Sequence, residues 1–211
     1  MRLAKTILLA TLLAAAAAPA QTVNCVAAVV GGRIITLLDV EVAASFGLVP
    51  GPAVAAGGDP RPAALEALID RKIVLDLARE ARSVSKDDLA LAVADLRRSL
   101  GDEAFRAKMA KFGLTVSDLE PYLEERLLCE RALALRFSDA IPVSTSEVER
   151  HYRDIYVPEQ TRLGAAVEPL DKVAPAIESR IRAERRAVQM AGWVRDLRKS
   201  ADIQIRKDCL K

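Results

Sequence analysis

The chain has 211 residues, with 31 Lys and Arg against 29 Asp and Glu, and no block of a single sign runs along it. That balance excludes the basic footprint of a nucleic-acid or anionic-membrane binder. Hydrophobic residues make up 51% but aromatic residues only 4%, and the prominence of Ala and Leu favours helices, in one domain or two small ones.

Residues 1–20, "MRLAKTILLATLLAAAAAPA", begin with Arg2 and Lys5, continue with an apolar run from Ile7 to Ala18, and end in Ala18-Pro19-Ala20. This is the pattern of a secretory signal peptide cleaved near Ala20 and Gln21. The rival is an uncleaved anchor, but the run is shorter than the ~20 apolar residues of a spanning helix. Export to the periplasm without stable membrane insertion is therefore expected. Loss of Arg2 and Lys5 takes the bases from 31 to 29, equal to the 29 acids. The residues just before Cys25, "TVN", are not those of a lipidated cysteine.

Residues 26–36, "VAAVVGGRIIT", read as a β-hairpin turning at Gly31-Gly32. Thr36 and Asp39 cap a short helix over 37–46. Residues 47–62 form a Gly/Pro/Ala loop. A helix over 63–82 places Leu65, Leu68, Ile69, Ile73, Leu77 and Ala81 on one face. Ser85 and Asp88 open a helix carrying Leu89, Val93, Leu96 and Leu100. A shorter helix over 102–112 stops at Gly113. Ser117 and Glu120 are expected to cap a helix over 118–137, with Pro121 in its first turn.

Ile141-Pro142-Val143 breaks the chain, and Ser144 with Glu147 starts another helix. Residues 156–177 hold three prolines and little apolar periodicity, so 158–170 reads as a linker. A last helix from about 172 to 200 aligns Val173, Ile177, Ile181, Val188, Ala191 and Val194, flanked by Trp193 and Leu197. In "ADIQIRK", Ile203 and Ile205 alternate with polar residues as in a half-buried strand.

The expected fold class is mainly α, with a small antiparallel sheet made by the N-terminal hairpin and the C-terminal strand. A lone hairpin is marginal in water, and a third strand stabilises it. Such pairing brings Cys25 towards Cys209 and makes them the candidate disulfide of an oxidising compartment. Three free thiols are the alternative. Cys129, inside "LEERLLCERALAL", reads as a buried thiol.

Catalytic chemistry is hard to place. The one histidine, His151, has no marked nucleophile beside it and reads as a solvent-facing or interface residue. One His and three scattered Cys do not supply a zinc site, and no dinucleotide or phosphate loop occurs. No cofactor, metal or nucleic-acid partner is expected. Arg180, Arg182, Arg185 and Arg186 read as a solvated helix face. The segment "FRAKMAKFGLTVSDLEPYL" concentrates Phe105, Met109, Phe112, Leu114, Leu119, Tyr122 and Leu123. Met and aromatic side chains adapt to varied partners, so these seven are the candidate lining of a peptide-binding groove. The competing reading is that they are core.

Several segments resemble the N-terminal domain of the SurA-like periplasmic chaperones. They are "VVGGRIITLLDVE", "LIDRKIVLDLA", "KFGLTVSDL" and "VSTSEVERHY", in order, between residues 26 and 157. "VAPAIESRIRAERRAVQMAGWVRDLRKSADIQI" resembles the helix and strand with which those proteins end. The resemblance divides the chain into a signal peptide (1–20), a chaperone domain (21–157), the linker (158–170), and a helix and strand (171–211) that complete the core module. Family members typically insert parvulin-type prolyl isomerase domains at such a linker, where "YVPEQTRL" looks like the lead-in. The stretch here cannot hold a domain, so isomerase activity is not carried over. The resemblance implies ATP-independent holding of unfolded or nascent envelope proteins, outer-membrane proteins above all. The alternative is a scaffold module with one dedicated partner. Homodimerisation is left open.

Overall fold

The computed structural model describes residues 25–49, 58–77 and 83–210. The expected signal peptide, the middle of the 47–62 loop and the expected helical turn at 78–82 lie outside the described residues.

Strand β1 (Val26–Val30) and strand β2 (Arg33–Thr36) form the expected antiparallel hairpin. Gly31 and Gly32 take φ of 54° and 80°, the left-handed region that a two-residue hairpin turn of this hand demands. Strand β3 (Ile203–Ile205) pairs antiparallel with the other edge of β1, giving the order β2-β1-β3. The terminal strand thus joins the opening ribbon, and β1 buries Ala27, Ala28 and Val30 at the centre.

Helix α1 (Leu37–Phe46) starts at a Thr36–Asp39 capping box and ends at Gly47, with φ of 64°. It is apolar on most sides and buries Val40, Val42, Ala43 and Phe46. Helix α2 (Arg61–Leu77) packs Leu65, Leu68, Ile69 and Ile73 into the same core. Helix α3 (Lys86–Leu100) opens on Ser85 and Asp88, and helix α4 (Asp102–Phe112) closes on Gly113.

Helix α5 (Val116–Arg136) begins earlier than expected. Its cap is Thr115 with Asp118, not Ser117 with Glu120. Both pairs have capping-box spacing. Thr115 follows the Gly113 turn directly, so the helix nucleates there. Pro121 therefore sits beyond the first turn, where it cannot donate to the Ser117 carbonyl four residues back.

Helix α6 (Thr145–His151) starts at a Ser144–Glu147 box. Two hydrogen bonds from Ser144, then Arg185, hold the Glu147 carboxyl down at about 2. The helical path then continues through a π turn (Tyr152–Tyr156) into helix α7 (Val157–Leu163), which ends at Gly164. The residues read as a linker are thus helical over their first half. Helix α8 (Leu170–Ser200) starts on Pro169 and is about 46 Å long at 1.5 Å per residue.

Two apolar clusters result. The main core gathers β1, α1, α2, Ala92 and Leu96 of α3, Phe105 of α4, and Leu119 and Leu123 of α5. A smaller one joins Val148 of α6 to Ile177 and Ile181 of α8. Helix α8 spans both, its distal end reaching the main core through Leu197. Val188, expected on the buried side, lies between the clusters and is 72% exposed. The basic residues of α8 do more than face water. Arg182 and Arg185 donate to the carbonyls of Ile141 and Pro142, Arg185 pairs with Glu147, and Arg180 pairs with Glu159 and Glu184.

One titration follows from the α6 cap. The folded value of Glu147 lies below the ordinary 4.5. Its stabilising effect is therefore complete above the ordinary value and is lost as pH falls through about 2. A carboxyl-carbon NMR titration reads this directly, and Ser144→Ala is expected to raise the midpoint towards 4.5.

Candidate functional site

The seven residues of the Met- and aromatic-rich segment pack into or against the main core, and Tyr122 among them also lines a pocket, the smaller one described below. Phe105 is 6% exposed and meets Phe46 edge-on, with ring centroids 6.1 Å apart. Leu119 and Leu123 are fully buried. Phe112 lies 6.3 Å from Phe46, and Met109, Leu114 and Tyr122 pack partly buried against the same core. The turn at Gly113 folds α4 back, and α4 and α5 are clamped onto α1 by these side chains. The physical reason is composition. With four Phe and three Tyr in the whole chain, the core draws on the few large side chains available. Tyr122 keeps a polar handle. Its hydroxyl donates to Asp39 Oδ1 at 2.8 Å, and burial and Asp39 together push its pKa well up.

The cysteines fall into two kinds. Cys25, before β1, and Cys209, in the 3-10 turn Lys207–Leu210, form a disulfide with Cα atoms 6.0 Å apart. Cys129 is a free, half-buried thiol on α5. Burial raises its pKa, and Arg71 pulls it back in part.

His151 is not solvent-facing. It is 8% exposed, and neither ring nitrogen has a hydrogen-bond partner among the described residues. It lies three residues after Val148, so both share the buried face of α6.

A larger concavity lies elsewhere among the described residues, between α2, α5 and α8. This cleft has a volume of about 800 Å³, within the ~300–1,000 Å³ common for ligand sites. Leu48 and Val49, Val74 of α2 and Leu133 of α5 supply apolar lining. Helix α8 contributes Met190, Ala191 and Val194. Cys129 lies on the α5 side.

Charged groups punctuate the wall. On α8, Arg198 binds Asp70 at 2.6 Å and Glu66 at 2.5 Å. Burial pushes Asp70 up, and Arg198 opposes that shift. Arg126 Nε lies 3.5 Å from Glu130. Arg71, 5% exposed, donates to the Leu48 carbonyl. Burial lowers its pKa, the usual direction for a desolvated cation.

Sequence reasoning missed this cleft because its walls come from three segments far apart in the chain. In "ALIDRKIVL" Arg71 stands between Asp70 and Lys72, so the local sequence does not mark it as buried. A second, smaller pocket of about 410 Å³ lies between β2, α2 and α5. It holds Tyr122, Asp39 and the Lys72–Glu125 pair.

Among the described residues, no group of three or more His, Cys, Asp or Glu is arranged to hold a metal. No helix among them is long and apolar enough to cross a membrane. No protein-family model and no curated protein matches the chain.

Proposed function

We propose that the protein is an exported, ATP-independent holdase that binds apolar segments of unfolded envelope proteins and has no prolyl isomerase activity. The observation that carries the reading is the open, apolar-walled cleft between α2, α5 and α8. It moves the client site away from the α4–α5 segment. Apolar area removed from water supplies affinity at ~25 cal/mol per Å². Ordering a flexible client offsets much of that gain. Binding is then weak enough to reverse without a nucleotide cycle.

The same reading includes export to the periplasm with cleavage near Ala20 and Gln21, and rests in part on the resemblance to the SurA-like chaperones. Between α6 and α8 the chain has room for a π turn, a short helix and six residues of coil, too little for an inserted domain.

The test is aggregation of a denatured β-barrel protein on dilution. Stoichiometric mature protein is expected to suppress light scattering, and a proline-isomerisation assay is expected to show no rate gain. No suppression at large excess would remove the holdase. A single stoichiometric partner in an envelope pull-down, with no suppression, would favour a dedicated scaffold instead.

A further inference from the structure

The charge inside the cleft does not balance. Arg198 is paired with Asp70 and Glu66, and Arg126 faces Glu130 at 3.5 Å, although its buried Nε makes no hydrogen bond among the described residues. Arg71 has no carboxylate partner among the described residues, and its one hydrogen bond there goes to a carbonyl. Two further acids act on it electrostatically, but Glu125 is taken by Lys72 and Glu130 by Arg126. At the rim, exposed Arg195 likewise makes no ion pair among the described residues. A buried cation is costly unless an anion accompanies it. The wall around Arg71 is nevertheless apolar, with Leu48, Val74 and Leu133 lining the same space.

The geometry points to a site for the C-terminal carboxylate of an extended apolar chain, with Arg71 as the anion partner and Arg195 at the entrance. This deepens the holdase reading and rests on it. A chain end fits this cleft better than a mid-chain carboxylate. A carboxylate in mid-chain would drag polar backbone on both sides into an apolar cleft of limited volume. A terminus brings one strand only, and its last residue carries an apolar side chain and the anion together. Arginine also suits the task, since its planar fork binds carboxylate in a bidentate manner.

The test uses the unaltered mature protein and two probes. One is a nine-residue peptide of alternating apolar and polar residues ending in phenylalanine with a free carboxylate. The other is the same peptide with a C-terminal amide. Fluorescence anisotropy is expected to show the acid binding about tenfold tighter or more, as hydrogen bonds to a charged group allow. The acid is also expected to slow alkylation of Cys129, the free thiol on the cleft wall. Arg71→Met should remove the preference for the acid, and Arg195→Gln should reduce it. Should Arg71→Met fail to fold, the acid–amide comparison on the unaltered chain still decides.

Equal binding of acid and amide by a protein that suppresses aggregation overturns the carboxylate site and leaves the holdase standing. Neither suppression nor peptide binding overturns both. Binding of decanoate with no binding of the peptide acid overturns the chain-end assignment.

Discussion

Reducing the Cys25–Cys209 disulfide is expected to lower the melting temperature by roughly 10–20 °C in a thermal scan. The bridge spans a sequence separation of 184. In the chain-entropy account, closing so long a loop removes about 5 kcal/mol of freedom from the unfolded chain. A domain of this size shifts by roughly 2–4 °C per kcal/mol. The structure gives a second reason for a large effect. Strand β3 has only three residues and lies at the edge of the sheet formed by the described strands. Besides the bridge, the chain end is held by its short ladder with β1, the Gly31 N–H to Asp202 carbonyl bond at 3.0 Å, the Arg206 N–H to Ala27 carbonyl bond at 2.8 Å and the packing of Ile203 and Leu210 against the main core. The double variant Cys25→Ser/Cys209→Ser should reproduce the loss without reductant. Cys129→Ser, made beside it, should leave the dependence on reductant unchanged. Superimposable melts with and without reductant would refute the role given to the bridge.

The disulfide also bears on the cleft. Helix α8 supplies one wall through Met190, Ala191 and Val194. Its end is fixed by Leu197, Ala201 and Ile203 against the main core. The bridge lies just beyond them. Oxidation thus anchors the wall that the proposed client contacts, in the compartment where the proposed export delivers it.

Local features of the fold were legible in the sequence because their causes are local. Gly31-Gly32, the Thr36–Asp39 box, the Ser85–Asp88 box and Gly113 each act within a few residues. The pairing of β3 with β1 followed from the need of a hairpin for a third strand. The errors came where two local signals competed or where the cause was distant. Thr115 and Ser117 both carry capping spacing, and the preceding turn decided between them. Pro158 suggested a break. In a regular helix its ring would press on the Asp154 carbonyl. The π turn over Tyr152–Tyr156 widens the backbone at that point, and the helical path continues into α7. His151 was read as solvent-facing or at an interface because no nucleophile or motif surrounds it in sequence, whereas the i,i+3 step from Val148 governs its face. The cleft had no local signature, since Arg71, Cys129 and Val194 meet only through tertiary packing.

Phe105→Ala is expected to destabilise the protein by about 3–5 kcal/mol, the range for emptying a buried aromatic site. Val194→Ser, on the partly exposed cleft wall, is expected to cost less than about 1 kcal/mol. The two variants separate core from site. Phe105 is held between α4 and α1 against Phe46, so its loss leaves a cavity that the tight α4–α5 turn restricts from collapsing. Val194 faces the cleft, where water can take the place of the lost methyl groups. Urea unfolding measures the first effect, and client holding measured at a temperature where both variants remain folded gives the second. Folded Phe105→Ala should hold clients normally, while Val194→Ser should hold them less well. The opposite pairing, with an undisturbed unfolding curve and lost holding for Phe105→Ala, would return the client site to the α4–α5 segment and leave the α2–α5–α8 cleft without a role.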